Sequence, residues 1–325
     1  MSTRKALVVG INDYPNCPLT GCCNDSEAIK DLLANNGNGD PNFDVYKKDN
    51  VRTKGELRAH IKKCFEGDSD VALFYFSGHG HIDSVGGYLV TPDYSSDDYG
   101  VSLAEVLSIA NGSKCKERII ILDSCYSGFM GSVDTAGQDT ATIHEGVTIL
   151  TASRNTETAQ EEIDGHGVFT SLLIEALKGG AADITGQITA GGIYAYIDKA
   201  LGPWEQRPIF KTNVKRFTSI RSVEPQVGIE TIRKLREFFP NENFEMPLDP
   251  SFEPTNDPDC KHEVVKPYAN SANTEVFSCL QKLESIGLIV PTNEDHMYFA
   301  AMNSKSCHLT PMGKHYWRLV KGNKI

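Results

Sequence analysis

Two uninterrupted apolar runs, each ending in a cluster of small residues, constrain this chain more than any other feature. The first runs into Phe74-Tyr75-Phe76-Ser77-Gly78-His79-Gly80-His81 and the second into Ile120-Ile121-Leu122-Asp123-Ser124-Cys125-Tyr126-Ser127-Gly128. Strands of a parallel sheet are covered on both faces, so they read as continuous apolar stretches. Each run delivers one reactive side chain, His79 or Cys125, into a turn rich in glycine and serine. The carboxyl ends of strands in open α/β sheets are where ligands bind.

The rest of the first two thirds alternates strand-like and helix-like segments. Lys5–Ile11 reads as a first core strand. Asn24–Asn35 follows as a helix with Ala28, Ile29, Leu32 and Leu33 on one face, and with Asn24 and Asp25 as cap candidates. A short strand over Phe43–Lys47, a Thr-capped helix over Thr53–Phe65 and the His79-bearing strand over Asp70–Phe76 come next. Gly87–Thr91 and Asp93–Tyr99 read as a hairpin or irregular segment, Ser102–Ala110 as a helix and Arg118–Asp123 as the Cys125-bearing strand. Residues 130–145 carry almost no apolar pattern and read as a mobile loop. Gly146–Ala152 is a further strand, Gly167–Leu177 a helix that stops at Gly179-Gly180, Gly192–Leu201 another helix, and Pro208–Phe217 a last strand or hairpin. This alternation predicts an α/β class with a mostly parallel sheet flanked by helices.

With 325 residues, the chain is long enough for a large domain and a smaller one. The expected division is 1–220 for the α/β domain, 221–267 for a connector with one short helix over Gly228–Phe239, and 268–325 for a small α+β module. Six prolines between Pro225 and Pro258 mark the connector. Beyond it, Asn273–Ile286 is an amphipathic helix, followed by Gly287-Leu288-Ile289-Val290 and Met297-Tyr298-Phe299-Ala300 as a hairpin. Leu309-Thr310-Pro311 then opens a helix through Val320.

The net charge of −11 argues against general affinity for nucleic acid or an anionic membrane, and favours cationic peptides near the surface. Nine cysteines without repeating spacing do not form a secreted disulfide framework. The opening apolar run is too short for a signal peptide and no stretch is long enough to span a bilayer. These features point to the cytoplasm, where Cys125 stays a thiol.

A cysteine attacks as its thiolate, and a free thiol is mostly protonated at neutral pH. A histidine within reach can take that proton and return it to a leaving amine. Either residue alone would be an ordinary structural side chain. Two strand-end presentations of this composition together suit a thiol nucleophile and its base. The backbone N–H groups of Cys125 and Gly80 are candidates for holding the oxyanion of a tetrahedral intermediate.

Ser77-Gly78-His79-Gly80 and Asp123-Ser124-Cys125-Tyr126-Ser127-Gly128 resemble the catalytic histidine and cysteine boxes of the caspase-like clan, most of all metacaspases and bacterial caspase-family peptidases. KALVVGINDYPNCPLTGCCNDSEAI at the start and ILTASRNTETAQEEIDGHGVFTSLLIEAL later resemble flanking parts of that group, so the likeness covers about residues 3–217. The QAC-type box of animal caspases is replaced by DSC. The resemblance implies a cysteine endopeptidase with a His79/Cys125 dyad, cutting protein substrates after Arg or Lys. It implies a pocket of Asp25 and Asp123 with Cys22 and Ser77 alongside, and a bacterial defence or cell-death setting. Clan members are commonly regulated by cleavage near the nucleophile; 130–145 holds no Lys or Arg, and Arg154 is the nearest basic residue downstream. A non-catalytic caspase-like scaffold is the alternative of a different class, although both boxes are intact.

The family also brings in calcium as a candidate activator, with Asp93, Asp97 and Asp98 as oxygen ligands, although their spacing matches no calcium loop. The pairs Cys260/His262 and Cys307/His308 lack the two-pair spacing of a zinc site, and no metal site is expected. The phrases LESIGLIV and HLTPMGKHYW make 268–325 resemble a winged-helix module, which raises a DNA-binding regulator as a further alternative. Its recognition helix would carry Glu275 and Glu284 against Lys282, the wrong sign for phosphate. A protein partner, recruited or inhibitory, is the expectation for that module.

Overall fold

The computed structural model describes residues 3–96, 98–124, 142–152, 165–201 and 208–325. The chain forms two compact units, Met1–Val223 and Glu224–Ile325.

The first unit is built on β1 (Arg4–Gly10), α1 (Cys22–Ala34), β2 (Asp44–Asp49), α2 (Lys54–Phe65), β3 (Val71–Ser77), β4 (Gly80–Ile82), β5 (Gly87–Ser95), β6 (Asp98–Ser102), α3 (Leu103–Asn111), β7 (Glu117–Asp123), β8 (Val147–Thr151), α4 (Val168–Glu175), β9 (Gln187–Thr189), α5 (Ala190–Leu201), β10 (Ile209–Asn213) and β11 (Ser219–Ser222). Its main sheet has the order β10-β8-β7-β3-β1-β2. All neighbours are parallel except β10, which runs antiparallel to β8. This is the expected mostly parallel α/β sheet.

The reason lies in the strands. Every residue of β3 and β8 is buried, and β1 and β7 are apolar on both faces through their centres. One face of the sheet packs Leu7, Val9, Phe74, Phe76, Ile120 and Leu122 against α2 and α3. The other packs Val8, Leu73, Tyr75, Ile119, Ile121 and Leu150 against α1, α4 and α5. At about 25 cal/mol per Å² of apolar surface, such two-sided burial is the main force holding these strands together. Thr53 caps α2 by accepting from the Glu56 N–H, as the sequence suggests.

The carboxyl ends of β1, β3 and β7 are level. Gly10 pairs with Ser77, and Ser77 with Asp123. β4, β5 and β6 form a separate antiparallel sheet directly after His79, so the segment after the histidine strand is ordered into hairpins.

The second unit contains α6 (Ile229–Arg233), α7 (Leu235–Phe238), β12 (Glu245–Pro247), α8 (Ser271–Ser285), β13 (Ile289–Pro291), α9 (Met297–Met302), β14 (Ser306–Leu309) and α10 (Pro311–Lys321), with short antiparallel strands in the order β12-β14-β13. Two expectations need correction here. Met297-Tyr298-Phe299-Ala300 is helical, because Met297, Ala300 and Ala301 bury a helical stripe and the second hairpin strand is instead Ser306–Leu309. Gly228–Phe239 is two short helices broken at Lys234. Residues 224–267 belong to this unit: they supply β12, and the Phe239 carbonyl accepts from Trp317 Nε1 at 2.7 Å. Among the described residues, no helix is long and apolar enough to cross a membrane.

Candidate active site

His79 leaves the tip of β3 after two small residues and is held from three sides. Its backbone N–H donates to the Tyr14 hydroxyl at 3.1 Å, and that hydroxyl donates to the Val90 carbonyl at 3.2 Å. The imidazole stands edge-on to the Tyr14 ring, with centroids 4.6 Å apart. Its Nε2 lies 2.7 Å from the Cys17 carbonyl oxygen. A carbonyl can only accept, so Nε2 carries a hydrogen, and in the neutral ring Nδ1 is the nitrogen with the lone pair. That is the tautomer a base needs if it is to work through Nδ1.

The glycine between Ser77 and His79 has a local reason. A Cβ on Gly78 would stand 2.7 Å from the Tyr14 hydroxyl oxygen and 2.8 Å from Phe76 Cζ. Its bare backbone lets Tyr14 close over the turn. The Gly78 N–H donates to the Asp123 carbonyl at 3.3 Å, which ties the histidine turn to the end of β7. Gly80 opens β4, opposite Leu89. Cys125 lies outside the described residues, as do Asp97, Arg154 and positions 130–141 of the loop; the last described residue after β7 is Ser124, whose buried Oγ has no hydrogen-bond partner among the described residues.

The four residues expected in a substrate pocket come together. Asp25 projects from the first turn of α1, Cys22 begins that helix, and Ser77 and Asp123 sit side by side at the ends of β3 and β7. Ser77 Oγ donates to Asp25 Oδ2 at 2.8 Å. Asp25 is not the cap of α1, whose cap position is Gly21 without a side-chain bond. Its carboxylate is instead committed to the strand tips. Asp123 Oδ2 accepts from Thr170 Oγ1 at 2.6 Å, and Tyr75 donates to the same threonine oxygen at 2.6 Å.

Electrostatics follow from enclosure. Burial raises the Asp25 carboxyl above its usual range, opposed by hydrogen bonds from Ser77 and His166. The Asp123 carboxyl is pushed up to about 7, first by burial and then by the charge of Asp25. Burial pushes the Cys22 thiol up to about 12, so it lines the site as a neutral group. Two desolvated carboxylates repel each other, and a cation placed between them relieves that repulsion.

Three participants are not evident from the sequence: Tyr14, the Cys17 carbonyl and His166. His166 Nδ1 donates to Asp25 Oδ1 at 2.7 Å, from 141 positions along the chain. Their only signal is position, since Tyr14 and Cys17 follow the first strand and His166 precedes a helix, at the sheet edge where ligands bind.

Metal ligation has little support in the geometry. Asp93 accepts from the Lys54 N–H and from Thr91 Oγ1, and Asp98 pairs with Lys54 Nζ at 2.6 Å. These carboxylates already serve protein donors and do not form a calcium cage. His308 Nδ1 meets Thr292 Oγ1, and His262 Nδ1 the Glu263 carbonyl. Among the described residues, no group of three or more His, Cys, Asp or Glu side chains is placed to hold a metal.

A family model described as Caspase domain matches residues 3–213. Among solved structures, the chain is similar to caspase-1 from Spodoptera frugiperda, with 16% sequence identity and a TM-score of 0.47, over 68% of this chain and 91% of that one. No curated protein matches the chain.

Proposed function

The chain belongs to the caspase-domain family, a family of cysteine peptidases, and from that premise we propose that it is an endopeptidase that cleaves protein substrates after Arg or Lys with His79 and Cys125 as its catalytic pair. In this reading Nδ1 of His79 takes the proton of the Cys125 thiol, and the thiolate attacks the scissile carbonyl carbon. The carbonyl π pair moves onto oxygen, where the N–H groups of Gly80 and Cys125 receive it; one such donor is worth about 3 kcal/mol of barrier. The imidazolium then protonates the departing amine as the C–N bond breaks. Water, deprotonated by the same imidazole, hydrolyses the thioester and restores the thiol.

The observation that carries this reading is the Nε2 to Cys17 carbonyl bond. It commits one imidazole nitrogen to the protein and leaves the other as a base, on a turn tied to the end of the strand that leads into Cys125. The preference for a basic residue is supported by Asp25 and Asp123, both desolvated and both beside Ser77. An aspartate before the scissile bond would add a third anion there, the least favourable choice.

The carboxy-terminal unit is read as a module that recruits or regulates through a protein partner. A phosphate-binding role is disfavoured, since Arg318 pairs with Glu242, Lys314 bonds Asn243 Oδ1 and Lys321 lies over the Trp317 ring. The setting proposed for the enzyme is the cytoplasm, within a defence or cell-death response.

The test is hydrolysis of fluorogenic peptides ending in Arg, Lys, Asp or Leu, with and without calcium, using Cys125→Ala as control. Cleavage after Arg and Lys that Cys125→Ala abolishes is the expected result. Cleavage after Asp alone would overturn the pocket reading, and hydrolysis that survives Cys125→Ala would overturn the nucleophile.

A further inference from the structure

Asp25 is almost sealed from solvent, and one of the side chains bonded to it is a histidine. The Asp25 side chain keeps 3% of its exposure, whereas that of His166, bonded to it through Nδ1, keeps 22%. The imidazole is thus the more exposed member of the pair and holds Asp25 Oδ1. The neighbouring backbone takes part as well: the Gly167 N–H bonds Asp25, and a Cβ on Gly167 would press to 3.2 Å from Asp123 Oδ2. His166 thus sits on a short segment laid across both carboxylates, with glycine on either side and Gly165 at a φ of +76° that other residues rarely adopt.

We propose that His166 sets the selectivity of this pocket by occupying, in the resting protein, the place on Asp25 that a basic substrate side chain takes, so that arginine or lysine enters by exchanging with the imidazole. The inference rests on the basic-residue reading above. The chemistry of the two donors gives the exchange its direction. Guanidinium carries a delocalised positive charge in a fork of several N–H donors, and ammonium carries three, whereas the imidazole meets Asp25 through the single Nδ1. The incoming group therefore answers both desolvated carboxylates with several donors and a permanent charge, where the histidine is bonded to Asp25 alone. The exchange does not strand Asp25, because Oδ2 keeps Ser77 and the Gly167 N–H remains available. A neutral side chain of similar size has no charge to offer for the lost bond and would leave a buried carboxylate oxygen unpaired, a cost that rejects it.

The experiment compares two peptides that differ only in Arg or Leu before the scissile bond, cleaved by the full chain and by His166→Ala, His166→Gln and His166→Lys, each checked for folding by thermal unfolding. KM for the Arg peptide is expected to fall several-fold in His166→Ala and to rise by roughly tenfold or more in His166→Lys, where a tethered ammonium holds Asp25. The Leu peptide follows neither change. A rise in KM for the Arg peptide in His166→Ala that His166→Gln restores would make the histidine a support for Asp25 and overturn the exchange. Unchanged KM values across the variants would overturn it too. A wild type without preference for Arg over Leu overturns the basic-residue reading itself, and the exchange with it. Should the variants not fold, the wild type decides: arginine amide, at concentrations that inhibit cleavage of the Arg peptide, is expected to displace the imidazole nitrogen resonances of His166, and leucine amide is not. Inhibition without displacement overturns the proposal.

Discussion

His79 Nε2 lies 2.7 Å from the carbonyl oxygen of Cys17, at the far end of a loop that also places Tyr14 under the same ring. A base is useful only in the right tautomer and at the right angle, and here both are set by backbone and tyrosine; among the described residues no ionised side chain is bonded to the imidazole. Removing the base itself is the first check. His79→Ala is expected to lower kcat by a factor on the order of 10²–10⁴, the usual worth of a positioned proton-transfer group, with smaller effect on KM. Steady-state kinetics on an Arg-ending peptide measure it.

Tyr14→Phe keeps the ring but removes the hydroxyl that serves both the His79 N–H and the Val90 carbonyl. Two enclosed backbone groups lose their partner, so the variant is expected to lose about 1–3 kcal/mol of stability and to lower kcat/KM. Urea unfolding and peptide kinetics on the same preparation check the two effects.

Gly78→Ala places a methyl group 2.7 Å from the Tyr14 hydroxyl oxygen and 2.8 Å from the Phe76 ring. The ring is buried and cannot move freely, so a cost of about 1–3 kcal/mol and loss of peptidase activity are expected. Wild-type stability in this variant would show that the turn is looser than its packing implies.

Asp123 carries a pH signature. Its carboxyl is pushed up to about 7 by burial and by Asp25, whereas in an unfolded chain it titrates near 4. The folded state therefore holds the proton more tightly. Its contribution to stability is fully present below about pH 4 and is lost as pH rises through about 7, by at most roughly 4 kcal/mol at about 1.36 kcal/mol per unit. Asp123→Asn removes this dependence, so urea unfolding curves should favour the variant progressively from about pH 4 to 7. Parallel curves would show that the carboxyl does not titrate in that window.

In the second unit, Asn256 is fully buried, and its amide donates to the carbonyls of Pro250, Val265 and Pro267 while accepting from the Val265 N–H. Asn256→Ala leaves these groups unpaired and is expected to destabilise the unit by about 2–4 kcal/mol. Hydrogen exchange of the amides in 249–270 reports it.

The strands of the main sheet were readable because two-sided burial leaves a continuous apolar trace, as in Val71–Phe76 and Ile119–Leu122. The pocket was half readable. Asp25, Asp123, Cys22 and Ser77 are named by the family resemblance, whereas by local pattern alone Asp25 next to Asn24 looks like a helix cap, since a short acidic side chain at a helix start has that local use. What it does instead depends on Ser77 and on His166, 52 and 141 positions away, and no local pattern encodes such a meeting. Tyr14 was hidden for the same reason, 65 positions from the histidine it steadies. Met297-Tyr298-Phe299-Ala300 misled because aromatic residues favour strands, while the deciding signal was the spacing of Met297, Ala300 and Ala301.

The order of the main sheet has one more consequence. β8 lies between β7 and β10, bound to β7 along five consecutive positions from Arg118 opposite Val147 to Leu122 opposite Thr151. A covalent break anywhere between Ser124 and Val147 would therefore leave two polypeptides zipped edge to edge through a shared ladder and a common apolar interior. Such a nicked protein would run as two bands once boiled in detergent, yet travel as one particle through a sizing column.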